Sequence, residues 1–289
     1  MNSTISYTKD FVISKDGTKI GYRQLGNGPG LILVHGGMMA AQNLMQLGAL
    51  LADQFTVYIP DRQGRGQSQR HNNFGLVAEG EDIQALVNKT KAENVYGLSA
   101  GAVVTLQTSI IEKGIKKICL HEPPILVDET RTDWITKYKE SMNKKNYGKA
   151  FMSIVNGTDD PSSLFNILPT FLIAPLMNIA IKSEAKKKKE NSDDVPLKPL
   201  IDAMFYDIKI IEDSAGIINK YKNTTADVLL IKGTKSQPYL RNTIDKLSAA
   251  LPKAKFVELV GQGHTVSNNG EKPELVAAEL KRFFMNNIH

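Results

Sequence analysis

The chain has 289 residues, of which 42% are hydrophobic and 23% are charged, as is typical of a globular protein with a full apolar core. Its single cysteine, Cys119, excludes an intramolecular disulfide and a cysteine-based structural zinc site. The 36 Lys and Arg residues exceed the 30 Asp and Glu residues, so the formal net charge is +6. An excess of positive charge can indicate an anionic partner, and the positions of the basic residues show whether it does.

The basic residues are dense in one place, the lysine run at positions 186–189. No aromatic residue is interleaved with the run and no nucleic-acid-binding motif occurs elsewhere, so we do not expect nucleic-acid binding. We interpret the run as the solvated end of a helix; a docking patch for anionic lipid or another anionic partner is the alternative. The first residues lack the features of a signal peptide, and no apolar stretch is long enough to span a bilayer. We therefore expect a cytoplasmic protein without stable membrane insertion.

The predicted elements begin with two segments of alternating polar and apolar residues, at 9–14 and 18–24, which indicate antiparallel strands. Two apolar runs follow, at 31–34 and 55–60, and the segment at 39–52 between them has near-helical spacing of its apolar residues. A strand, a helix and a strand in this order predict a parallel βαβ unit.

The alternation continues with predicted helices at 79–90 and 102–112 and strands at 94–98 and 117–121. After it, only helical segments are predicted, among them 134–143 and 167–181. Alternation resumes with strands at 228–231 and 255–259 and helices at 238–250 and 273–286. These patterns predict an α/β fold, in which residues 1–124 and 226–289 form an open, mostly parallel sheet and residues 125–225 form a helical insertion.

A G-x-S-x-G motif, formed by Gly97, Ser99 and Gly101, lies between the strand predicted at 94–98 and the helix predicted at 102–112. A nucleophile elbow needs this arrangement, because glycines permit the sharp turn that exposes a serine hydroxyl at the top of the sheet. Ser99 is therefore the candidate nucleophile. A glycine-rich turn with an incidental serine is the alternative.

A serine hydroxyl becomes a good nucleophile when a neighbouring imidazole accepts its proton. His264 is the candidate base, because it lies on a glycine-bracketed loop between the last predicted strand and the closing helix. Acyl transfer also needs backbone N–H groups that stabilise negative charge on the carbonyl oxygen. Those of Gly37, in the His-Gly-Gly-Met sequence at 35–38, and of Ala100 are the candidates. For each of these positions the alternative is a loop residue without a catalytic role.

With these motifs in this order, the sequence resembles the α/β-hydrolase family. The resemblance covers nearly the whole chain and includes the Asp-x-x-Gly-x-Gly-x-Ser sequence at 61–68. It implies a doubly wound sheet of α/β-hydrolase type, and it places a cap domain at residues 125–225. It also implies that Ser99 is the nucleophile, that His264 is the general base and acid, and that Gly37 and Ala100 form the oxyanion hole. No cofactor and no metal are implied.

The third member of a Ser-His-acid triad departs from the family's pattern. Many members carry an aspartate on the loop after the strand at 228–231, where this chain has Ser236 and no carboxylate between Asp227 and Asp245. An anion is needed to stabilise the imidazolium that forms during acyl transfer, and a serine hydroxyl supplies no charge.

Glu122, directly after the strand at 117–121, is the replacement that we predict. A carboxylate oxygen of Glu122 should lie within about 3.2 Å of His264 Nδ1. Because Pro123 follows it, we expect extended backbone geometry at Glu122. The alternative is that Glu122 only bonds the insertion or a backbone turn.

These residues predict a serine hydrolase that cleaves a carboxylic ester or thioester of a small, largely apolar substrate through an acyl-enzyme on Ser99. A C–C bond hydrolase or a perhydrolase with the same triad, and a ligand-binding protein that has lost turnover, are the alternatives. Asp61 and Arg62 are expected to be structural. Several aromatic residues of the insertion should lie in its core or line the pocket: Trp134, Phe151, Phe165, Phe171 and Phe205.

Overall fold

A computed structural model describes residues 5–127, 132–158, 169–186, 193–216 and 218–286. Its sheet consists of eight strands: β1 (Thr8–Ile13), β2 (Lys19–Leu25), β3 (Gly30–Val34), β4 (Thr56–Pro60), β5 (Asn94–Leu98), β6 (Lys117–His121), β7 (Asp227–Gly233) and β8 (Lys255–Leu259). The spatial order is β1-β2-β4-β3-β5-β6-β7-β8. β2 pairs antiparallel with β1 and β4, and the other neighbours are parallel. The predicted α/β class with a mostly parallel sheet is confirmed.

The described α-helices are α1 (Met45–Leu51), α2 (Leu76–Thr90), α3 (Ala100–Ile111), α4 (Asp133–Asn143), α5 (Tyr147–Thr158), α6 (Thr170–Lys186), α7 (Leu197–Asp213), α8 (Pro238–Ala250) and α9 (Pro273–Met285). Apolar side chains of α2, α3 and α8 pack on one face of the sheet, and those of α1 and α9 pack on the other. Both faces are therefore covered, as the continuous apolar runs of the central strands require.

Strand β3 shows how the sequence produces these two layers. Successive side chains of a strand point to opposite faces. Leu31 and Leu33 accordingly pack with α1 and α9, and Ile32 and Val34 pack with α2 and α3. All four side chains are fully buried, so the strand is fixed at the centre of the molecule and its carboxyl end is positioned for the loops that follow.

Helices α4–α7 lie between β6 and β7 in the chain and are here called the insertion helices. They share an apolar cluster of their own, which includes the buried residues Trp134, Tyr138, Ile154, Ile201 and Ile208. Among the residues that the structure describes, no helix is long and apolar enough to cross a membrane. Three lysines of the basic run, at 187–189, and Phe165 lie outside the described residues.

The aromatic side chains of the insertion were expected in its core or lining a pocket, and one of them, Phe205, is in neither position. Trp134 is buried in the core of the insertion helices and Phe151 packs at its edge. Phe171 is 71% exposed and lines a groove with Trp134 and Tyr239. Phe205 is 50% exposed and packs against Phe74, so the expectation is wrong for Phe205. Composition predicts that an aromatic residue is on average buried, but the direction of a side chain on a helix depends on which face packs against neighbours.

Candidate active site

Ser99 lies at the turn between β5 and α3, with φ 54° and ψ −126°. This left-handed φ is strained for a residue with a side chain, and such strain concentrates at functional sites. The flanking glycines are needed for close packing: a Cβ on Gly97 would lie 2.5 Å from the carbonyl oxygen of Gly101, and a Cβ on Gly101 would overlap the carbonyl oxygens of Val34 and His35. The turn therefore brings α3 onto β3 and leaves the Ser99 side chain half-buried at its apex.

Ser99 and His264 line the same cavity, whose volume is about 270 Å³. One side is formed by the loops at the carboxyl ends of the strands. The other side is formed by apolar residues of the insertion helices: Ile154, Val155, Leu197, Leu200, Met204 and Ile211. Among the described residues that line it, none is Asp, Glu, Lys or Arg. The cavity is thus apolar, with a few polar groups concentrated around Ser99.

Two backbone N–H groups beside Ser99 are available to a ligand. Gly37 and Ala100 both line the cavity, and neither N–H donates a hydrogen bond to another group in the described parts of the chain. Ala100 is the first residue of α3, where helix geometry leaves N–H groups without intrahelical partners. By contrast, the N–H of Met38 is occupied by Asp207 Oδ2 at 3.1 Å. Neither predicted donor therefore has a hydrogen-bond partner in the described part of the chain.

His264 Nδ1 lies 2.6 Å from Glu122 Oε2, within the distance expected from the sequence. The second oxygen of Glu122 accepts a hydrogen bond from the N–H of Gly233 at 2.7 Å. The Glu122 carboxylate is completely buried and His264 is 6% exposed. The hydrogen bond between Nδ1 and this buried carboxylate thus fixes the orientation of the His264 imidazole.

The backbone of Glu122 differs from the prediction. Its φ is 48°, in the left-handed region, and not in the extended geometry expected for a residue before proline. The N–H of Glu122 donates to the carbonyl oxygen of Ile231 on β7 at 3.2 Å, and its side chain binds Gly233 on the same strand. Because both ends of the residue are held by β7, tertiary hydrogen bonds outweigh the local preference that Pro123 imposes.

The electrostatics of this pair favour an ionised carboxylate. Burial raises the pKa of Glu122, but the hydrogen bond from His264 and the charge of that imidazole outweigh burial and leave the pKa below its usual value. Next to it, burial lowers the pKa of His121 to about 4, so His121 is neutral at pH 7. The Tyr96 hydroxyl lies 2.9 Å from His121 Nδ1, which accounts for this histidine as a buried structural residue.

Ser236 occupies the loop after β7 where many family members carry their acid. Its side chain is 2% exposed, and its backbone N–H donates to the carbonyl oxygen of Gly233 at 3.3 Å. The Gly233 N–H binds Glu122, so the carboxylate from β6 extends across to this loop. The anion beside His264 is therefore supplied by β6.

Sequence reasoning missed Asp207 on α7, which is fully buried beside the Gly37 loop. Its oxygens lie 2.8 Å from Arg62 Nη1 and 2.6 Å from Arg65 Nη2, and Arg62 Nε lies 2.6 Å from Glu79. Two guanidinium groups and two carboxylates thus form one buried, balanced network that links α7 to the core. A signal was present: Asp207 interrupts the apolar face of α7, three residues after Met204.

Asp61 and Arg62 have the structural roles expected of them. Asp61 accepts hydrogen bonds from the N–H groups of Ala41 at 2.8 Å and Gln67 at 3.0 Å, and it does not line the cavity. The N–H of Arg62 donates to His35 Nε2 at 3.1 Å. Burial, together with the charges of the two arginines, lowers the pKa of His35 far below its usual value, so this imidazole is a neutral structural acceptor. In the described part of the chain no group of three or more potential metal ligands occurs.

Comparisons with known proteins agree with this architecture. Residues 31–279 match the model of a family described as the alpha/beta hydrolase family. The chain is 28% identical over 155 residues to the uncharacterized hydrolase YraK of Bacillus subtilis (strain 168), a match that spans 50% of this chain and 57% of that protein.

Solved structures cover more of the chain. An alpha/beta hydrolase from Sphaerobacter thermophilus DSM 20745 is 25% identical with a TM-score of 0.73, over 95% of this chain and 100% of that one. The carboxylesterase CesB (YbfK) from Bacillus subtilis is 18% identical with a TM-score of 0.68, over 98% and 93%. Because the family model matches most of the chain and the sheet has the same fold as these structures, the protein belongs to the alpha/beta hydrolase family.

Proposed function

We propose that the protein is a serine hydrolase that cleaves a carboxylic ester or thioester of a small, uncharged substrate. One observation carries the proposal: a single cavity holds Ser99, two free N–H groups and a histidine that is bonded to a buried carboxylate. These are the parts that acyl transfer needs, namely a nucleophile, a base with an orienting anion, and donors for the oxyanion.

The arrangement performs the reaction in two halves. Ser99 Oγ attacks the carbonyl carbon while His264 accepts its proton, and the N–H groups of Gly37 and Ala100 bind the oxyanion. The tetrahedral intermediate collapses to an acyl-enzyme as His264 returns the proton to the departing alcohol or thiol. A water molecule then attacks the acyl group with His264 as base, and the free acid and Ser99 are released. Throughout, the Glu122 carboxylate stabilises the imidazolium form of His264.

The insertion helices act as the cap of this site and select the substrate. They supply the apolar wall of the cavity, and no charged side chain of the described residues lines it. A carboxylate or ammonium group on the substrate would be desolvated there without a partner, which is costly. A neutral acyl group is therefore favoured. A C–C bond hydrolase or a perhydrolase would use the same residues and is distinguished by its substrate.

The ligand-binding alternative is less well supported. It was motivated by the absence of a carboxylate near Ser236, and Glu122 supplies a carboxylate to His264 from β6. A binding protein would have no need for an ionised carboxylate held 2.6 Å from a histidine in the same cavity as a strained serine.

A fluorophosphonate probe tests the proposal directly, because only an activated serine is labelled quickly. We expect rapid labelling of the native protein, none of Ser99→Ala, and hydrolysis of p-nitrophenyl esters from acetate upwards. The matched control is Ser153→Ala, a buried serine outside the cavity whose hydroxyl donates to the carbonyl oxygen of Lys149 in its own helix. A native protein that is neither labelled nor active on any ester of the series would contradict the proposal and favour the binding reading.

A further inference from the structure

Helix α6 is the outer helix of the insertion, and its two faces differ sharply in burial. Its inner face packs against α5 and α7, with Ile173, Ala174 and Ile181 buried. Its outer face carries four large apolar side chains in solvent: Phe171 is 71% exposed, Leu172 53%, Leu176 66% and Ile179 66%. The outer face of α6, as defined by these four residues, is thus apolar. Phe171, at its N-terminal end, also borders a groove lined by residues of α4, α5 and α8.

The spacing of these side chains makes them one surface. Leu172, Leu176 and Ile179 are four and three residues apart, which places them on the same side of a helix. The face from Phe171 to Ile179 extends about 12 Å along the helix axis. Two other highly exposed aliphatic residues, Val77 on α2 and Val260 after β8, lie on other elements. Contiguous exposed apolar patches are rare in soluble proteins and mark interaction sites.

One basic side chain, that of Lys182, lies beside the outer face of α6. Lys182 follows Ile179 by three residues, so it lies on the same side of the helix, and it is exposed. The carboxylate of Glu184 is turned towards the protein, where it accepts the N–H of Leu197 at 3.0 Å. Asp193, beyond the helix, is held by Lys9 at 2.9 Å. Among the described residues near this end of α6, the acidic side chains are therefore bonded within the protein itself.

We infer that the outer face of α6 is a docking surface for an anionic lipid bilayer. Leu172, Leu176 and Ile179 would enter the boundary between headgroups and acyl chains, as the apolar face of an interfacial helix does. Lys182 would lie over the apolar stripe with its ammonium group among the lipid phosphates.

A second copy of the chain fits this surface less well. Stable interfaces bury about 800 Å² on each partner, and a helix face about 12 Å long and about 10 Å wide is far smaller. A bilayer requires no matching shape, and the affinity of a helix for an anionic bilayer increases with both its apolar area and its basic charge. The inference does not depend on the catalytic proposal. Because α5 and α7 lie beneath α6 and line the Ser99 cavity, docking would bring the cap against the membrane.

Vesicle co-sedimentation of the full chain tests the inference. We expect binding to vesicles of phosphatidylcholine and phosphatidylglycerol in equal parts, weaker binding to phosphatidylcholine alone, and loss of binding as salt is raised. The double variant Leu176→Glu/Ile179→Glu should bind at least about tenfold more weakly, and Lys182→Gln about fivefold more weakly. The control Val77→Glu/Val260→Glu adds the same charge at two exposed aliphatic residues elsewhere and should bind like the native protein.

Circular dichroism and thermal unfolding establish that each variant is folded, and none of these residues lines the Ser99 cavity. Equal binding to both kinds of vesicle, or equal binding of the α6 double variant and its control, would overturn the inference. A concentration-dependent dimer that the α6 double variant abolishes, without lipid binding, would also overturn it and assign the face to a second copy.

Discussion

The Asp207 carboxylate of α7 accepts a hydrogen bond from the backbone N–H of Met38, 3.1 Å away, and thereby joins the insertion to the loop that carries Gly37. The same carboxylate lies 2.8 Å from Arg62 and 2.6 Å from Arg65. A Cβ on Gly37 would lie only 3.2 Å from Asp207 Cγ, so this loop and the carboxylate are in direct contact. The position of the Gly37 N–H therefore depends on a residue of the insertion.

Removal of this carboxylate should destabilise the fold strongly. Asp207→Ala would remove the carboxylate partner of the buried Arg65 and leave the buried Arg62 with Glu79 alone, and breaking a buried ion pair in this way costs about 3–5 kcal/mol. The matched control is Asp202→Ala on the same helix, whose i,i+4 partner Lys198 is at 3.1 Å and whose side chain is 35% exposed; we expect a loss below about 1 kcal/mol. Urea unfolding measures both. Similar losses in the two variants would show that the network contributes little.

Ser99 and His264 should each be indispensable for turnover. Because members of a nucleophile–base unit act together, Ser99→Ala and His264→Ala should each lower kcat by about 10⁴-fold or more, with little change in the free energy of unfolding. His71→Ala is the control, because its side chain is 43% exposed and lies outside the cavity. Wild-type turnover in Ser99→Ala on an ester that the native protein hydrolyses would show that the nucleophile is another group.

Much of the fold was predictable because its signals are local. The strands predicted at 94–98, 117–121 and 255–259 coincide with β5, β6 and β8, and the helix predicted at 238–250 coincides with α8. Each strand is a short apolar or alternating run between turn residues, and α8 begins with proline at its first position. Such features depend on neighbours in the chain and need no tertiary information.

The features that were not predictable are those set by distant contacts. Asp207 is hydrogen-bonded to Arg62 and Met38, each more than a hundred residues away in the chain, and no local sequence pattern predicts these contacts. The left-handed backbone of Glu122 contradicts the preference before Pro123, because hydrogen bonds to β7 decide it. The exposure of Phe171 depends on which side of α6 packs against α5.

Asp82 should make stability depend on pH. Burial, assisted by the nearby carboxylates of Glu79 and Asp16, raises the pKa of Asp82 to about 7 from 3.8. Below about pH 4 the carboxyl group is protonated in both the folded and the unfolded protein. Between about pH 4 and 7 it is ionised in the unfolded chain but still protonated in the folded protein, so the free energy of unfolding falls as pH rises. Asp82→Asn removes this effect and should be more stable than the native protein at pH 8, by up to about 4 kcal/mol, but not at pH 4. Thermal unfolding at the two pH values tests this, and an identical difference in Tm at both would contradict it.

The insertion helices should control the length of the acyl group. Leu200 lines the cavity, and Leu200→Ala removes three carbon atoms from its wall. Each buried methylene contributes about 0.8 kcal/mol, so the preferred acyl chain should lengthen by one to three methylenes and the ratio of kcat/KM for hexanoate over acetate should rise about fourfold or more. Leu172→Ala is the matched control, since this leucine is 53% exposed on the outer side of α6 and touches no part of the cavity. An unchanged ratio in Leu200→Ala would indicate that the acyl group binds elsewhere.

Glu122, and not a residue near Ser236, should be the anion on which His264 depends. Its Oε2 lies 2.6 Å from His264 Nδ1, whereas Ser236 is a neutral side chain on the neighbouring loop. Glu122→Gln preserves the shape but removes the charge that stabilises the imidazolium, so kcat should fall by about 10⁴-fold with a smaller change in KM. Ser236→Ala should lower kcat by less than about tenfold, because a hydroxyl group can at most orient the ring. Single-turnover release of p-nitrophenol from both variants checks the prediction. A severe loss in Ser236→Ala together with a mild one in Glu122→Gln would assign the orienting role to the serine and deprive the site of its anion.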